Sequence, residues 1–247
     1  MRGPYGFELS ESCQTCKLRG DEFFCQLSAK ALKDLDQFSS PSAYPAGAIL
    51  FIEEQDCRGI FVLCEGKVKL SICSNAGKTM ILKIAQAGEV LGLSAILAGR
   101  SYETTAETLH PCQVVFIPRD EFLRFLAHNP EASQNMVKQL SAEYQSACNR
   151  LRTVGLSASA SRRLAKFLLD WRAGSKQAKS DAKTKISLTH TELAQCIGTT
   201  RETVTRTLSD FRNRRLVTLR GATLAITNRA ALESFVSYPR SHVAQEN

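Results

Sequence analysis

The segment Leu188–Phe211, LTHTELAQCIGTTRETVTRTLSDF, constrains this chain more than any other stretch. Leu193, Ala194 and Ile197 give a first short helix its apolar face, and Thr189 with Glu192 has the spacing of a capping box. Gly198 follows, a residue that tolerates positive φ at a helix end. Val204, Leu208 and Phe211, four and three apart, form the inward face of a second helix. Thr199 with Glu202 repeats the box spacing, so this helix opens at Thr199 or Thr200, and Glu202 has two candidate jobs, cap and base reader. Two such helices around a tight turn form a helix-turn-helix, whose second helix presents its N-terminal residues to the major groove. Arg201, Glu202, Thr205 and Arg206 are left on the outward side. Arg reads guanine through two hydrogen bonds and Glu accepts from the cytosine amino group, so these side chains suit base readout.

The residues after the helix pair support the same reading. In RRLVTLRGATLAIT, two short β runs flank Arg220-Gly221, the signal of a hairpin or wing. Thr189, Thr191, Thr199, Arg212, Arg214, Arg215 and Arg220 become neighbours of DNA phosphates, which fix position without reading sequence. From Leu156 onward there are 16 Lys+Arg against 7 Asp+Glu, and before it 16 against 17, so the formal charge of +8 lies beside the helix pair. A basic face there supplies non-specific DNA affinity; the plainer alternative is a solubilising surface.

The 247 residues suffice for two domains, each with its own core. No apolar run approaches the roughly 18 residues of a membrane helix. MRGPYGFELSES lacks the apolar centre of a signal peptide, which implies a cytoplasmic chain without membrane contact. The nine cysteines then read as thiols or metal ligands rather than structural disulfides. There is no GxxxxGK[ST], HExxH or GxSxG, and the four histidines are scattered, so no enzyme activity is expected.

Upstream, AILFIEE, GIFVLCEG, KVKLSIC, TMILKIAQAG and QVVFIP are short, β-branched and alternating, with Gly66, Gly77 and Gly88 each eleven residues apart. Such a rhythm predicts a β-sandwich or barrel. Beyond Pro118 the period becomes helical. Met136, Leu140, Tyr144, Ala147, Leu151 and Val154 form a narrow apolar seam suited to pairing with a second copy; packing on its own β domain is the alternative. Leu156–Trp171 reads as another helix, followed by the Lys-rich AGSKQAKSDAKTK, which reads as a loop. The expected layout is a cysteine-containing leader at 1–28, a β sensor domain at 29–128, a dimerisation helix at 129–156, a DNA-binding domain at 157–236 and a tail at 237–247.

Taken together, β domain, long helix, winged helix-turn-helix and the motif RETVTR (Arg201–Arg206) resemble the CRP/FNR family of bacterial transcription regulators over residues 30 to 236. The resemblance implies an α+β chain with an N-terminal cyclic-nucleotide-binding-like β-roll (a double-stranded jelly roll), a dimerisation helix and a C-terminal winged helix-turn-helix. RETVTR is similar to the catabolite-activator type, which implies a TGTGA-like half-site with Arg201 and Arg206 on guanines and Glu202 on a cytosine. Thr205-Arg206 partly echoes the FNR branch, which leaves a TTGAT-like preference open. A two-fold dimer would read an inverted repeat on double-stranded DNA, and an activator would also touch RNA polymerase.

The resemblance places an effector pocket at Gly92, Leu93, Tyr102, Glu103 and Thr104. The family's Gly-Glu is here Gly92-Leu93, its phosphate-binding Arg-Ser falls on Tyr102-Glu103, and Arg100-Ser101 stands two residues early. A carboxylate beside a cyclic phosphate is repulsive, so cAMP is not the expected ligand. In the leader, Cys13, Cys16 and Cys25 resemble the cysteine-rich segment that holds a [4Fe–4S] cluster in FNR proteins, with a wider final gap. Cys112 is the candidate fourth ligand, with Cys57, Cys64 and Cys73 as alternatives. A cluster, another metal such as zinc, a thiol switch, and plain packing with exposed thiols all remain open, and the cofactor is unassigned. The function expected is a homodimeric DNA-binding transcription regulator under an effector or redox signal. The alternative is a cyclic-nucleotide-binding module acting on a protein partner without reading DNA.

Overall fold

The computed structural model describes residues 5, 12–13, 16, 25–156, 159–173, 185–220 and 223–236. Most of the leader, the Lys-rich segment 174–184, the hairpin tip 221–222, the tail 237–247 and the Arg220 side chain lie outside the described residues. The chain divides into two compact units, Met1–Ala147 and Cys148–Asn247.

The first unit opens with α1 (Ala29–Asp36), whose N-cap Ser28 accepts from the Ala31 N–H. Eight strands follow: β1 (Ser40–Tyr44), β2 (Ile49–Phe51), β3 (Gly59–Glu65), β4 (Lys67–Cys73), β5 (Thr79–Gln86), β6 (Val90–Leu91), β7 (Thr105–Thr108) and β8 (Cys112–Pro118). They form two antiparallel four-stranded sheets, ordered β1-β8-β3-β6 and β2-β7-β4-β5. A short helix, α2 (Leu93–Ala98), sits between β6 and β7, and α3 (Arg119–His128) follows β8. Ile60, Leu63, Val68, Ala85, Leu91, Val114 and Ile117 fill the interior together with Leu32 and Leu35 of α1 and Phe122 and Phe125 of α3.

One sequence expectation needs adjustment here. Strict alternation fails in β3, whose residues from Gly59 to Leu63 are all buried. Both α2 and α3 pack on this strand, and a strand covered on both faces has no solvent side to alternate with.

After α3 the chain breaks at Asn129 and continues as α4 (Pro130–Leu156). The start of α4 belongs to the β-roll. Ala132 and Met136 are in its core, Leu140 packs against it, and Gln139 Nε2 donates to the Val90 carbonyl at 2.8 Å. Lys83 Nζ joins Glu89 and, at 3.2 Å, Glu143 of α4. Met136, the first position of the expected seam, is therefore turned into its own domain at 7% exposure. Apolar side chains left in solvent along α4 are Val137, Tyr144, Leu151 and Leu156, at 64, 72, 73 and 78% exposure. The first three are seven residues apart, so they stack along one side of the helix. Ala147 is exposed and Val154 half-buried.

The second unit holds α5 (Ala160–Ala173), β9 (Lys185–Ile186), α6 (His190–Ile197), α7 (Arg201–Asn213), β10 (Val217–Arg220), β11 (Thr223–Ile226) and α8 (Arg229–Val236). Its sheet runs β10-β11-β9, so the sequence-predicted hairpin gains a third strand from the residues before α6. The sequence reading did not separate α8, which docks Leu232 into the core and sets Phe235 edge-on to Phe211, with ring centroids 5.4 Å apart. Among the described residues no helix is long and apolar enough to cross a membrane.

Candidate nucleic-acid interface and sensor sites

The helix pair is built largely from local interactions. Thr189 Oγ1 accepts from the Glu192 N–H at 3.1 Å, and Glu192 Oε2 accepts from the Thr189 N–H at 2.9 Å, completing the capping box that the spacing predicts. Gly198 ends α6 at φ 64° and ψ 50°, a conformation that a β-carbon would strain.

The start of α7 falls on the second of the two positions expected from the sequence, without the Thr199–Glu202 box. The cap is Thr200, whose Oγ1 accepts from the Thr203 N–H at 3.3 Å. The Thr199 N–H already closes on the Ala194 carbonyl at 3.0 Å, so Thr199 still belongs to the end of α6. Glu202 therefore has no box with Thr199. Its carboxylate takes its own backbone N–H and the Thr200 hydroxyl, and with Arg201 beside it these hold it below the usual carboxylate range.

Val204, Thr207, Leu208 and Phe211 are buried, whereas Arg201, Glu202, Thr205 and Arg206 are exposed together on the other side. Thr205 is less available than the sequence suggests. Its hydroxyl donates to the Arg201 carbonyl at 3.0 Å and meets His190 Nδ1 at 2.8 Å. With that proton committed, His190 Nδ1 is the donor, and Thr205 keeps its methyl and one acceptor lone pair for a base but no donor.

Among the backbone candidates, Thr189, Thr191, Arg212 and Arg215 are exposed and Thr199 is half-buried. Arg214 has other work: its Nε donates to Asp210 Oδ1 at 2.9 Å and its guanidinium lies 5.5 Å from the Phe235 ring centre. Arg215 adopts φ 57°, an uncommon left-handed conformation for a side-chain-bearing residue, at the turn into β10.

In the β-roll, three of the five expected pocket residues are part of the packing. Tyr102 is 3% exposed, stacks on Phe51 with centroids 4.0 Å apart and planes at 16°, and donates its hydroxyl to the Gly59 carbonyl at 2.7 Å. Burial pushes its phenol pKa up, with Cys57 adding to the effect. Leu93 is 2% exposed. A β-carbon on Gly92 would stand 2.9 Å from Tyr102 Cε1, so this glycine leaves room for the ring. Glu103 and Thr104 remain at the surface. Outside the ring is an open cavity of about 730 Å³ lined by Glu54, Asp56, Arg100, Ser101, Glu103 and Arg119 among others.

The leader thiols meet a partner that the sequence ranked among the alternatives. Ser12 Oγ and the Cys13 N–H both donate to the Asp36 carboxylate, at 2.5 and 2.9 Å, tying the leader to α1. Burial, then the charge of Asp36 and neighbouring Cys16 and Cys25, raises the Cys13 thiol to about 12. The Cys64 thiol on β3 is also pushed up, by burial first and then by Cys13, Cys16 and Cys25. Cys13, Cys16, Cys25 and Cys64 therefore share one neighbourhood. The Cys112 Sγ donates to the His110 and Lys67 carbonyls at 3.1 and 3.4 Å, and Glu65 is a charged neighbour. Of the candidate fourth thiols, Cys64 is the one whose rise includes the charges of the leader cysteines. Among the described residues no group of three or more His, Cys, Asp or Glu side chains stands in metal-holding geometry.

Residues 162–235 match the model of the Crp-like helix-turn-helix domain, and residues 41–129 match that of the cyclic nucleotide-binding domain. The chain is 26% identical over 207 residues to the CRP-like cAMP-activated global transcriptional regulator of Mycobacterium tuberculosis, covering 83% of this chain and 92% of that protein. It is 25% identical over 193 residues to the global nitrogen regulator of Synechococcus elongatus, covering 76 and 86%. In three dimensions it resembles FixK2 from Bradyrhizobium japonicum with a TM-score of 0.71 at 19% identity, over 81% of this chain and 98% of that one.

Proposed function

The chain belongs to the CRP/FNR family of transcription regulators, and we propose that it acts in the cytoplasm as a homodimer reading a palindromic TGTGA-like site under a signal sensed by its N-terminal unit. The observation that carries this is the exposure of Arg201, Glu202 and Arg206 on one side of α7 while Val204, Leu208 and Phe211 anchor the other. Arg201 and Arg206 take guanines and the Glu202 carboxylate accepts from a cytosine. The exposed row Val137, Tyr144 and Leu151 supports pairing of α4 with a second copy, which would give the two-fold symmetry an inverted repeat requires.

Gel retardation tests the reading with a duplex carrying two inverted TGTGA half-sites and a random duplex of equal length. A dimer-sized complex on the first that outcompetes the second is the expected result. No retardation of inverted-repeat duplexes at low salt would instead favour a nucleotide-binding module acting on a protein partner.

The signal is not cAMP in this reading. The Tyr102 ring is stacked and hydrogen-bonded inside the roll, and Glu103 brings a carboxylate where a cyclic phosphate would need a cation. The patch of Cys13, Cys16, Cys25 and Cys64 supports the leader as sensor. As a donor set, four thiols suit a [4Fe–4S] cluster or zinc once deprotonated, although the thiols described do not stand in ligating positions; a thiol switch is the metal-free form of the same sensor. Anaerobic purification with iron, sulfide and zinc analysis separates these. Bound metal should be lost in Cys64→Ser and kept in Cys112→Ser; a metal-free wild-type protein would leave the thiol switch and plain packing with exposed thiols.

A further inference from the structure

We propose that Arg150 and Arg163 are positioning residues for the recognition helix, two guanidinium groups that hold the C-terminal carbonyls of α6 and so fix the turn from which α7 starts. The inference rests on the DNA-reading role of α7 and adds what sets that helix in place.

The last carbonyls of a helix have no partner within it. At the end of α6 three consecutive ones meet arginine. Arg163 Nε donates to the Ile197 carbonyl at 2.8 Å, and its Nη2 reaches the Gly198 carbonyl at 3.5 Å. Arg150 Nη1 reaches the Cys196 carbonyl at 3.5 Å. The contacts at 3.5 Å are long, so Arg150 acts chiefly as a positive charge at the negative end of the helix dipole, with Arg163 Nε as the directional bond. Burial lowers the Arg150 pKa, and the nearby Asp170 charge opposes that shift. A half-buried guanidinium of this kind is placed for the protein's own backbone rather than for a phosphate.

The two arginines come from different elements. Arg163 lies on α5, whereas Arg150 lies on α4, the continuous helix whose earlier residues Ala132 and Met136 belong to the β-roll core. The turn at Gly198 and Thr199, and with it the first residue of α7, is therefore referred to the long helix through Arg150. A rearrangement of α4 in this segment would reach Arg201 through one side chain and one short turn.

The test compares full-length wild type, Arg150→Met and Arg150→Lys. Hydrogen exchange is followed over residues 194–204, and binding is measured at several salt concentrations on the inverted TGTGA duplex and on the random duplex. Arg150→Met should exchange several-fold faster in that segment. Its preference for the inverted repeat should fall by about fivefold to thirtyfold, the worth of a partly buried cation at a helix C-terminus. The slope of log affinity against log salt should not change, because no phosphate contact is removed, and Arg150→Lys should recover most of both effects. A slope lower by about 0.9 would mean that Arg150 touches a phosphate and would overturn the proposal. Wild-type exchange in Arg150→Met would overturn it as well. Should Arg150→Met fail to fold, Arg150→Gln takes its place: faster exchange over 194–204 with an unchanged salt slope supports the proposal, and wild-type exchange or a slope lower by about 0.9 overturns it. If the wild type shows no preference for the inverted repeat, the DNA reading fails, while the exchange data still decide whether the clamp exists.

Discussion

Arg201→Ala is expected to bind the preferred inverted repeat about fivefold to 150-fold more weakly than the wild type, a cost of about 1–3 kcal/mol. Binding to a random duplex should hardly change. The asymmetry follows from position. Arg201 is the first residue of α7, exposed, and next to a Glu202 that stays charged below the usual carboxylate range. A guanidinium there can meet the edge of a guanine, and a lost base contact weakens one sequence rather than all of them. Competition binding with single-base variants of the half-site makes the test sharper, since Arg201→Ala should become indifferent to the base at one position. Equal losses on specific and random duplexes would put Arg201 on the phosphate backbone.

Phe211→Ala should destabilise the C-terminal unit by about 3–5 kcal/mol. The ring is 0% exposed and meets Phe235 of α8 edge-on, so its removal leaves a cavity that the surrounding helices cannot readily close. Such a loss is a large part of the roughly 5–15 kcal/mol that holds a typical domain together. Urea denaturation followed by the fluorescence of Trp171, on α5 in the same unit, is the measurement. A cost below about 1 kcal/mol would mean that α7 is not anchored through Phe211.

The two predictions probe opposite faces of one helix, and those faces are legible in the sequence. Val204, Leu208 and Phe211 repeat at helical spacing, and what lies between them must face outward. The same local logic reaches the Thr189–Glu192 cap and the Gly198 turn, where each partner is within four residues of the other. At the start of α7 it narrows the cap only to Thr199 or Thr200. Thr199–Glu202 has the correct spacing for a capping box, but the Thr199 N–H is already taken by Ala194 and the cap passes to Thr200. Two adjacent threonines look alike in sequence; only the closure of the previous helix tells them apart.

Longer separations were less legible. Cys64 and Cys112 are both cysteines in strand-like runs of the same sheet, and nothing in their spacing says which faces the leader. Tertiary structure separates them, since Cys112 turns its thiol onto the His110 and Lys67 carbonyls, whereas the charges of Cys13, Cys16 and Cys25 act on Cys64. Tyr102 is similar. The sequence places it beside an effector pocket, while packing on Phe51 and the Gly59 carbonyl makes it part of the core. The arginine count from Leu156 onward also overstates the basic face, because Arg163 and Arg214 are engaged within the unit.

By itself, then, the sequence determined the second helix of the helix-turn-helix, its outward Arg201, Glu202 and Arg206, the winged unit around it and the β-roll before it. These depend on periodicity, caps and turns, which act over a few residues and are written in order along the chain. The tertiary structure alone decided which thiol meets the leader, what fills the roll beside Gly92, and which arginines face inward. Those outcomes depend on contacts between residues far apart in sequence, where burial and the need to satisfy backbone carbonyls select one partner among several of the same chemical type.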